Sequence, residues 1–376
     1  MNVGVLTASL PSGRTGGAEA QALMLATLLS RKHNVTVFTR SAAPAPLDAE
    51  SGRCEFCRRT AVGVPGARFV ADVFGTLLQI ARRRKTLDAL VAYQTVIDGL
   101  LAVLAKRLFG IPVIVSVRSE REYQLHRSLM ARIFSPFVFR HADTVAVQTP
   151  TVKRELLNCL VQAGKRRLSE TVERKLMVFP NGITLPDFRP SPGRVVLYVG
   201  RLIEAKGVRY LLDAMKDCPE QKLLVVGDGP ERERLQARGL TNVEFAGRAA
   251  GEELAGYYRA ARVLVLPSLR DEGMPNAVME AMARGIPVIA SRNAGTPDLV
   301  EDGETGFLVD PGDARAIARA IRRIADDDEL RERLSRNCLR EVERYQWPNV
   351  LPIMEEELRR LTRSASAVKE TVGTLR

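Results

Sequence analysis

No stretch of this chain reaches the roughly 18 to 20 uninterrupted apolar residues that a membrane span requires. The most apolar region, residues 100–117, is broken by Lys106, Arg107, Gly110 and Pro112. Residues 1–10 lack a positive leader and run into Pro11, Ser12 and Gly13, so they read as a first strand and not as a signal peptide. Cysteine is sparse: five residues, an odd number, make a poor disulfide framework. Cys54 and Cys57 form one Cys-x-x-Cys, but Cys159, Cys218 and Cys338 are scattered and supply no second pair for zinc. Incidental thiols in a reducing cytosol, with no metal site, are the expectation. Aromatic residues are only 5% of the chain, and no zinc-finger, helix-turn-helix or RNA-recognition signature is present, so nucleic acid is not the expected partner.

What the chain does have is length and an uneven charge. At 376 residues it is too long for one compact core and is expected to divide in two. The net charge of +12 lies in the first half: residues 1–190 carry 27 Lys and Arg against 14 Asp and Glu, whereas residues 191–376 carry 29 against 30. A basic half suits an anionic surface such as phospholipid or a phosphorylated acceptor, although a solvated basic rim would have the same composition.

The hydrophobic pattern alternates short apolar strands with helical periodicity. Strands are expected at 2–9, 34–39, 87–93, 112–117 and 144–148, and again at 194–199, 222–226, 242–245, 262–266 and 287–290. Near-continuous apolar strands of this kind belong to parallel sheets covered on both faces. The expected fold is therefore α/β, with two facing doubly wound, Rossmann-like domains and a cleft between them. Residues 1–190 form the first, residues 191–348 the second, and residues 349–376 a helix that returns to the first and frays from Ser364. Pro180-Asn181-Gly182 closes the first half, and residues 189–193 read as the linker.

Four places carry candidate chemistry. Glu272 and Glu280 sit eight positions apart, the first at the carboxyl end of a strand and the second inside a short helix after Gly273, Met274, Pro275, Asn276 and Ala277. Glu280 is flanked by Val278, Met279, Ala281 and Met282, and a carboxylate so placed is costly unless it is hydrogen-bonded. A ribose diol would satisfy it; an ordinary surface helix with one outward Glu has the same sequence. Arg201 and Lys206 fall on one strand-to-helix loop, where two cations suit a departing diphosphate without a metal. Gly227, Asp228, Gly229 and Pro230 close another strand; a tight turn is the simpler reading, a wall of a nucleotide pocket the other. Gly16 and Gly17 open a helix after the first strand, where backbone amides can approach an anion.

In their order and spacing these motifs, with Pro180-Asn181-Gly182 and Gly295-Thr296-Pro297-Asp298, resemble those of the retaining GT-B glycosyltransferases of family four. The resemblance runs over nearly the whole chain. It implies a UDP- or GDP-sugar donor bound mainly by the second domain, with no cofactor. Arg201 and Lys206 would hold the diphosphate. Glu280 would meet the ribose, and Glu272 with the amides of residues 273–277 would meet the sugar and phosphate. Gly17 would approach the diphosphate from the first domain, which receives the acceptor. Asn181, Gly227 and Asp228 fall in the matching motifs. One departure stands out: where family members often carry histidine, this chain has Arg118, with His126 eight residues on. Arg118 could contact the sugar or the phosphate, but it is a poor proton carrier because it stays charged, and His126 is the alternative. A sugar-nucleotide epimerase can share the architecture, but three histidines are few for acid–base work, and a non-catalytic sugar-nucleotide-binding subunit is the other alternative. Residues 121–141 mix cations with Leu125, Leu129, Met130, Ile133, Phe134, Phe137 and Phe139. They suggest a cytoplasmic, peripheral membrane enzyme acting on a lipid-linked or polysaccharide precursor, although core packing with a solvated rim explains the same residues equally well.

Overall fold

The computed structural model describes residues 1–7, 17–40, 53–58, 65–186, 193–270 and 272–373. They form two compact units, Met1–Pro180 with Pro348–Arg376, and Asn181–Trp347.

The first unit is built on one parallel sheet. Its strands are β1 (Asn2–Leu6), β2 (Asn34–Thr39), β3 (Cys54–Arg58), β4 (Ala89–Ala92), β5 (Val113–Ser116), β6 (Thr144–Val147) and β7 (Leu176–Val178), in the order β3-β2-β1-β4-β5-β6-β7. All four residues of β4, β5 and β6 are buried, as expected of strands covered by helices on both faces. The connecting helices are α1 (Gly17–Ser30), α2 (Pro65–Arg83), α3 (Leu100–Phe109), α4 (Leu129–His141), α5 (Pro150–Gln162) and α6 (Arg166–Glu173). Their ends follow local chemistry. The Thr149 hydroxyl accepts the Val152 amide at 3.2 Å ahead of Pro150, which needs no amide in the first turn. Gly110, with φ of 71°, stops α3 in the left-handed conformation that glycine adopts freely.

The second unit repeats the plan with β8 (Val195–Val199), β9 (Lys222–Val226), β10 (Val243–Gly247), β11 (Ala261–Leu266), β12 (Val288–Ser291) and β13 (Gly306–Val309), ordered β10-β9-β8-β11-β12-β13. Its helices are α7 (Val208–Lys216), α8 (Arg232–Gln236), α9 (Gly251–Ala260), α10 (Asn276–Met282), α11 (Ala314–Asp326) and α12 (Asp328–Val342). The strand order reverses between β8 and β11, and such a switch point opens a crevice at the carboxyl ends of the strands.

Three strands escape the hydrophobic pattern. β3 carries Glu55 and Arg58, β7 is three residues long, and β13 has four residues and starts on a glycine, Gly306. The position of β3 also disposes of the Cys-x-x-Cys: residues three apart on a strand face opposite sides of the sheet, and both thiols are free. The unit boundary falls at Pro180, ten residues before the 190/191 division read from the sequence. Asn181 and Ile183 are tied into the second unit. The Ile183 amide donates to Tyr345 O at 2.9 Å, the Trp347 amide donates to Ile183 O at 3.2 Å, and Gly182 lies against the Trp347 ring. Of the expected linker, residues 189–192 are outside the described residues. The final helix, α13 (Trp347–Gly373), continues past Ser364, because residues 364–372 contain neither glycine nor proline. It belongs to the first unit through buried Glu355, which lies 3.3 Å from Lys32, and through Glu357, which accepts the Thr144 hydroxyl.

Close backbone contact shapes the switch point. Gly227 has φ of 145°, and a Cβ there would lie 1.8 Å from Gly200 O. Gly227→Ala is therefore expected to destabilise the second unit by about 3 kcal/mol, through steric overlap and backbone strain. A denaturant midpoint equal to the unsubstituted protein's would contradict this.

Candidate functional site

At the carboxyl ends of β8 and β11 two loops are pressed together. After β8 the chain makes one 3-10 turn, Glu204–Lys206, and enters α7 through Gly207 at φ of 63°. A Cβ on Gly207 would lie 2.1 Å from Pro267 O, and the Leu269 amide donates to Ala205 O at 2.8 Å. This contact brings Lys206 to Glu272, and the two form an ion pair with side-chain exposures of 16% and 5%. Charges so withdrawn from water need each other and further hydrogen bonds. Ser268 supplies one, its hydroxyl donating to Glu272 Oε1 at 2.5 Å, and Asn293 Nδ2 in turn donates to Ser268 O at 2.5 Å.

Arg201 lies on the same loop. Its side chain is exposed and makes no hydrogen bond or ion pair among the described residues, while its carbonyl accepts the Tyr198 hydroxyl at 2.9 Å. An arginine so placed is available to an anion. Asp228 is otherwise engaged: it accepts the Gly229 amide at 2.9 Å and lies 3.3 Å from Arg248 and 3.8 Å from Arg232. The Gly227–Asp228 turn is thus a packed turn that also presents a charged cluster beside the Arg201 loop.

The run after β11 is held from behind. Gly273, Met274 and Pro275 are buried, and Asn276 and Ala277 are half-buried. Asn181 Nδ2 donates to Met274 O at 2.9 Å and to Asn276 Oδ1 at 2.8 Å, so Asn181 braces the run. Glu280 projects from α10, which is two turns long, and accepts the Tyr258 hydroxyl at 2.8 Å. The partner that its apolar flanks demanded is thus already present in the protein. Arg284 stacks over Tyr258 at 4.7 Å. Burial raises the Glu280 pKa, against the lowering effects of the Tyr258 hydrogen bond and Arg284.

In the first unit, Gly16 lies outside the described residues and Gly17 is the exposed first residue of α1. Arg118, at the carboxyl end of β5, is 7% exposed, with its guanidinium 4.2 Å from the Tyr93 ring centre and 5.8 Å from that of Phe179. Burial lowers its pKa, while Tyr93 and Glu122 pull it up. Glu122 fixes the loop: its carboxylate accepts the amides of Thr95 at 2.7 Å and of Arg118 and Ser119 at 3.0 Å each. His126 is exposed in the turn before α4, unlike the buried Arg118. His33 and His141 are structural, the first 3.9 Å from Glu355 and the second 2.8 Å from Phe137 O.

The structure therefore brings Arg201, Lys206 and Glu272 to one switch point and adds residues that the sequence pattern did not single out: Ser268, Asn293, Tyr258 and Glu122. Only Tyr258 had a signal, an aromatic pair on a helix preceding the strand that leads to Glu272.

A family model described as "Glycosyl transferases group 1" matches residues 187–340, and one described as "Glycosyl transferase 4-like domain" matches residues 16–169. The sulfoquinovosyl transferase of Arabidopsis thaliana is 28% identical over 295 residues, covering 72% of this chain and 55% of that protein. The chain thus spans little more than half the length of this relative. The sucrose-phosphate synthase of Thermosynechococcus elongatus superimposes with a TM-score of 0.80 at 25% identity, covering 96% of this chain and 99% of that one. HepE of Anabaena, solved with UDP and glucose, superimposes with a TM-score of 0.75 at 21% identity, covering 96% and 99%.

The raised pKa of Glu280 has a consequence for stability. Its contribution is fully present below the ordinary carboxylate range and is lost as pH rises through the raised folded-state value. Glu280→Gln, neutral at every pH, is expected to flatten this part of the stability profile when denaturant midpoints are measured from acid to neutral pH. Equal slopes in the two proteins would show that Glu280 does not titrate in this way.

Proposed function

We propose that this chain, which belongs to the group 1 glycosyltransferases, moves a sugar from a nucleotide-diphosphate donor to a lipid-linked or polysaccharide acceptor, with retention at the anomeric carbon. The observation that carries the reading is the pairing of Lys206 with buried Glu272 at the switch point, with exposed Arg201 on the same loop. In transfer, the bond from the anomeric carbon to the diphosphate breaks and its electron pair leaves with the phosphate oxygen. The acceptor oxygen forms the new bond and its proton passes to the departing phosphate oxygen. Lys206 and Arg201 are suited to the growing charge on the leaving group, since fixed cations there stabilise the transition state more than the ground state. No cofactor or metal enters this scheme. Glu272 is the group suited to the sugar, and Glu280 to the ribose. In the first unit, Gly16 and Gly17 are assigned to substrate binding and Arg118 to the sugar or the phosphate. The UDP and glucose named for HepE support a donor of this class.

Lys206→Ala is expected to lower kcat of transfer by about 100- to 1,000-fold, the range for loss of one charge-stabilising donor, while a chelator leaves the wild-type rate unchanged. Radiolabelled transfer from UDP- and GDP-sugars measures both. An undiminished rate in the variant would remove Lys206 from the mechanism, and a chelator-sensitive rate would overturn the metal-free scheme.

A peripheral membrane location, at the cytoplasmic face, is the second half of the proposal. Among the described residues no helix is long and apolar enough to cross a membrane. The helices α2, α3 and α4 pack side by side, and they expose Phe74, Leu78, Leu108, Leu129, Met130 and Ile133. Arg82, Arg107 and Arg132 are exposed on the same helices, and Arg84 is exposed in the turn after α2. Apolar side chains within a basic rim suit an anionic bilayer, where each cation contributes about 1 kcal/mol. The protein is expected to float with vesicles containing phosphatidylglycerol at low salt and to be released at high salt. Leu129→Glu with Ile133→Glu should weaken flotation at least tenfold; unaltered flotation would place the contact elsewhere.

A further inference from the structure

The ion pair at the switch point is held by a chain of contacts from outside it. Glu272 Oε1 receives both the Lys206 ammonium and the Ser268 hydroxyl, the latter at 2.5 Å. Ser268 is itself buried, at 1% exposure, and its carbonyl receives Asn293 Nδ2 at 2.5 Å. Asn293 stands on a different loop, the one that leaves β12. That loop is closed on itself: the Asn293 amide donates to Ser291 O at 2.9 Å, and the Thr296 amide donates to Asn293 O at 3.0 Å.

The next residue, Ala294, has φ of 41°, the one non-glycine residue with positive φ among those described. It is also buried, at 4% exposure. A side chain bearing Cβ avoids this conformation unless its surroundings impose it, and such outliers collect where geometry matters to function. Here the strained residue lies directly after the one whose side chain reaches back to the loop that follows β11. The strain and the reach are parts of one turn. Without the strain the turn would relax; without the Asn293 amide, the carbonyl of Ser268 would lose its fixed partner.

We propose that Asn293 is a positioning residue for sugar transfer: acting through Ser268, it sets the side chain of Glu272 so that the carboxylate stays aligned when a donor diphosphate draws Lys206 away. The inference rests on the functional reading above and deepens it. In the closed pair Lys206 itself orients Glu272. Once the lysine turns to phosphate, that restraint is gone, and the Ser268 hydroxyl becomes the remaining one on Oε1. The two loops after β11 and β12 then act as one rigid support for the group assigned to the sugar. Asn293 touches neither donor nor acceptor in this scheme, and its effect falls on the chemical step, not on nucleotide binding.

The test compares Asn293→Ala, Ser268→Ala, their double variant and Ser268→Thr, which keeps a hydroxyl. Each alanine variant is expected to lose about tenfold in kcat, while UDP or GDP affinity by calorimetry and the thermal midpoint stay close to wild type. The double variant should be no worse than the worse single one, since both residues act along one path. Ser268→Thr should stay within about twofold of wild type. Wild-type kcat in Asn293→Ala, a loss that tracks weakened nucleotide binding or melting, or multiplicative losses in the double variant would each overturn the proposal. The crystal structure of Asn293→Ala with UDP or GDP bound reads the positioning directly: Glu272 displaced from Ser268 relative to the wild-type complex supports it, and Glu272 still held on the Ser268 hydroxyl overturns it, whether or not any donor is turned over. A wild-type protein that neither binds the nucleotides nor transfers sugar counts against the functional reading instead.

Discussion

The candidate site depends on a salt bridge withdrawn from water. Lys206 and Glu272 come from different loops, and neither loop could bring its charge inward alone. Removing an ammonium or a carboxylate from solvent costs several kcal/mol per ion, and their attraction offsets this only when the geometry is held. The holding is done by backbone packing. Gly207 lets the β8 loop lie within van der Waals reach of Pro267, and the Leu269 amide closes on Ala205. The glycine matters here because a Cβ would separate the two loops, and with them the two charges.

Glu272 and Glu280 lie close in sequence but are stabilised by different means. Glu272 takes a cation and a hydroxyl, and its charge is balanced locally. Glu280 takes one phenol, with a guanidinium stacked on that phenol's ring, and burial pushes its pKa upward. One carboxylate is thus kept with a counter-charge, and the other has a phenol as its direct partner and a pKa raised by burial.

The first unit uses the same devices for another purpose. Buried Glu122 spends its carboxylate on three backbone amides from the loops after β4 and β5, which fixes the backbone that carries Arg118. The guanidinium then rests against two aromatic rings, where cation–π attraction replaces part of its lost hydration. A histidine at this place could give up its proton; an arginine so packed supplies fixed charge.

Much of this was legible in the sequence because it is local. Alternation of apolar runs with 3.6-residue periodicity announces parallel sheets, and glycines next to cations at strand ends announce tight loops near anions. Arg201, Lys206 and Glu272 could be named on those grounds. The strands β3, β7 and β13 could not, since a charged, very short or glycine-led strand carries little periodic signal. Nor could Ser268, Asn293 or Tyr258 be given roles. Asn293 is 25 positions from Ser268, and Tyr258 is 22 from Glu280. Sequence by itself determined which residue types stand at the ends of strands, because burial and turn geometry act over a few neighbours. Tertiary structure alone decided which of those residues meet, because a hydrogen bond reaches only about 3 Å and its partners are chosen by how separate loops pack.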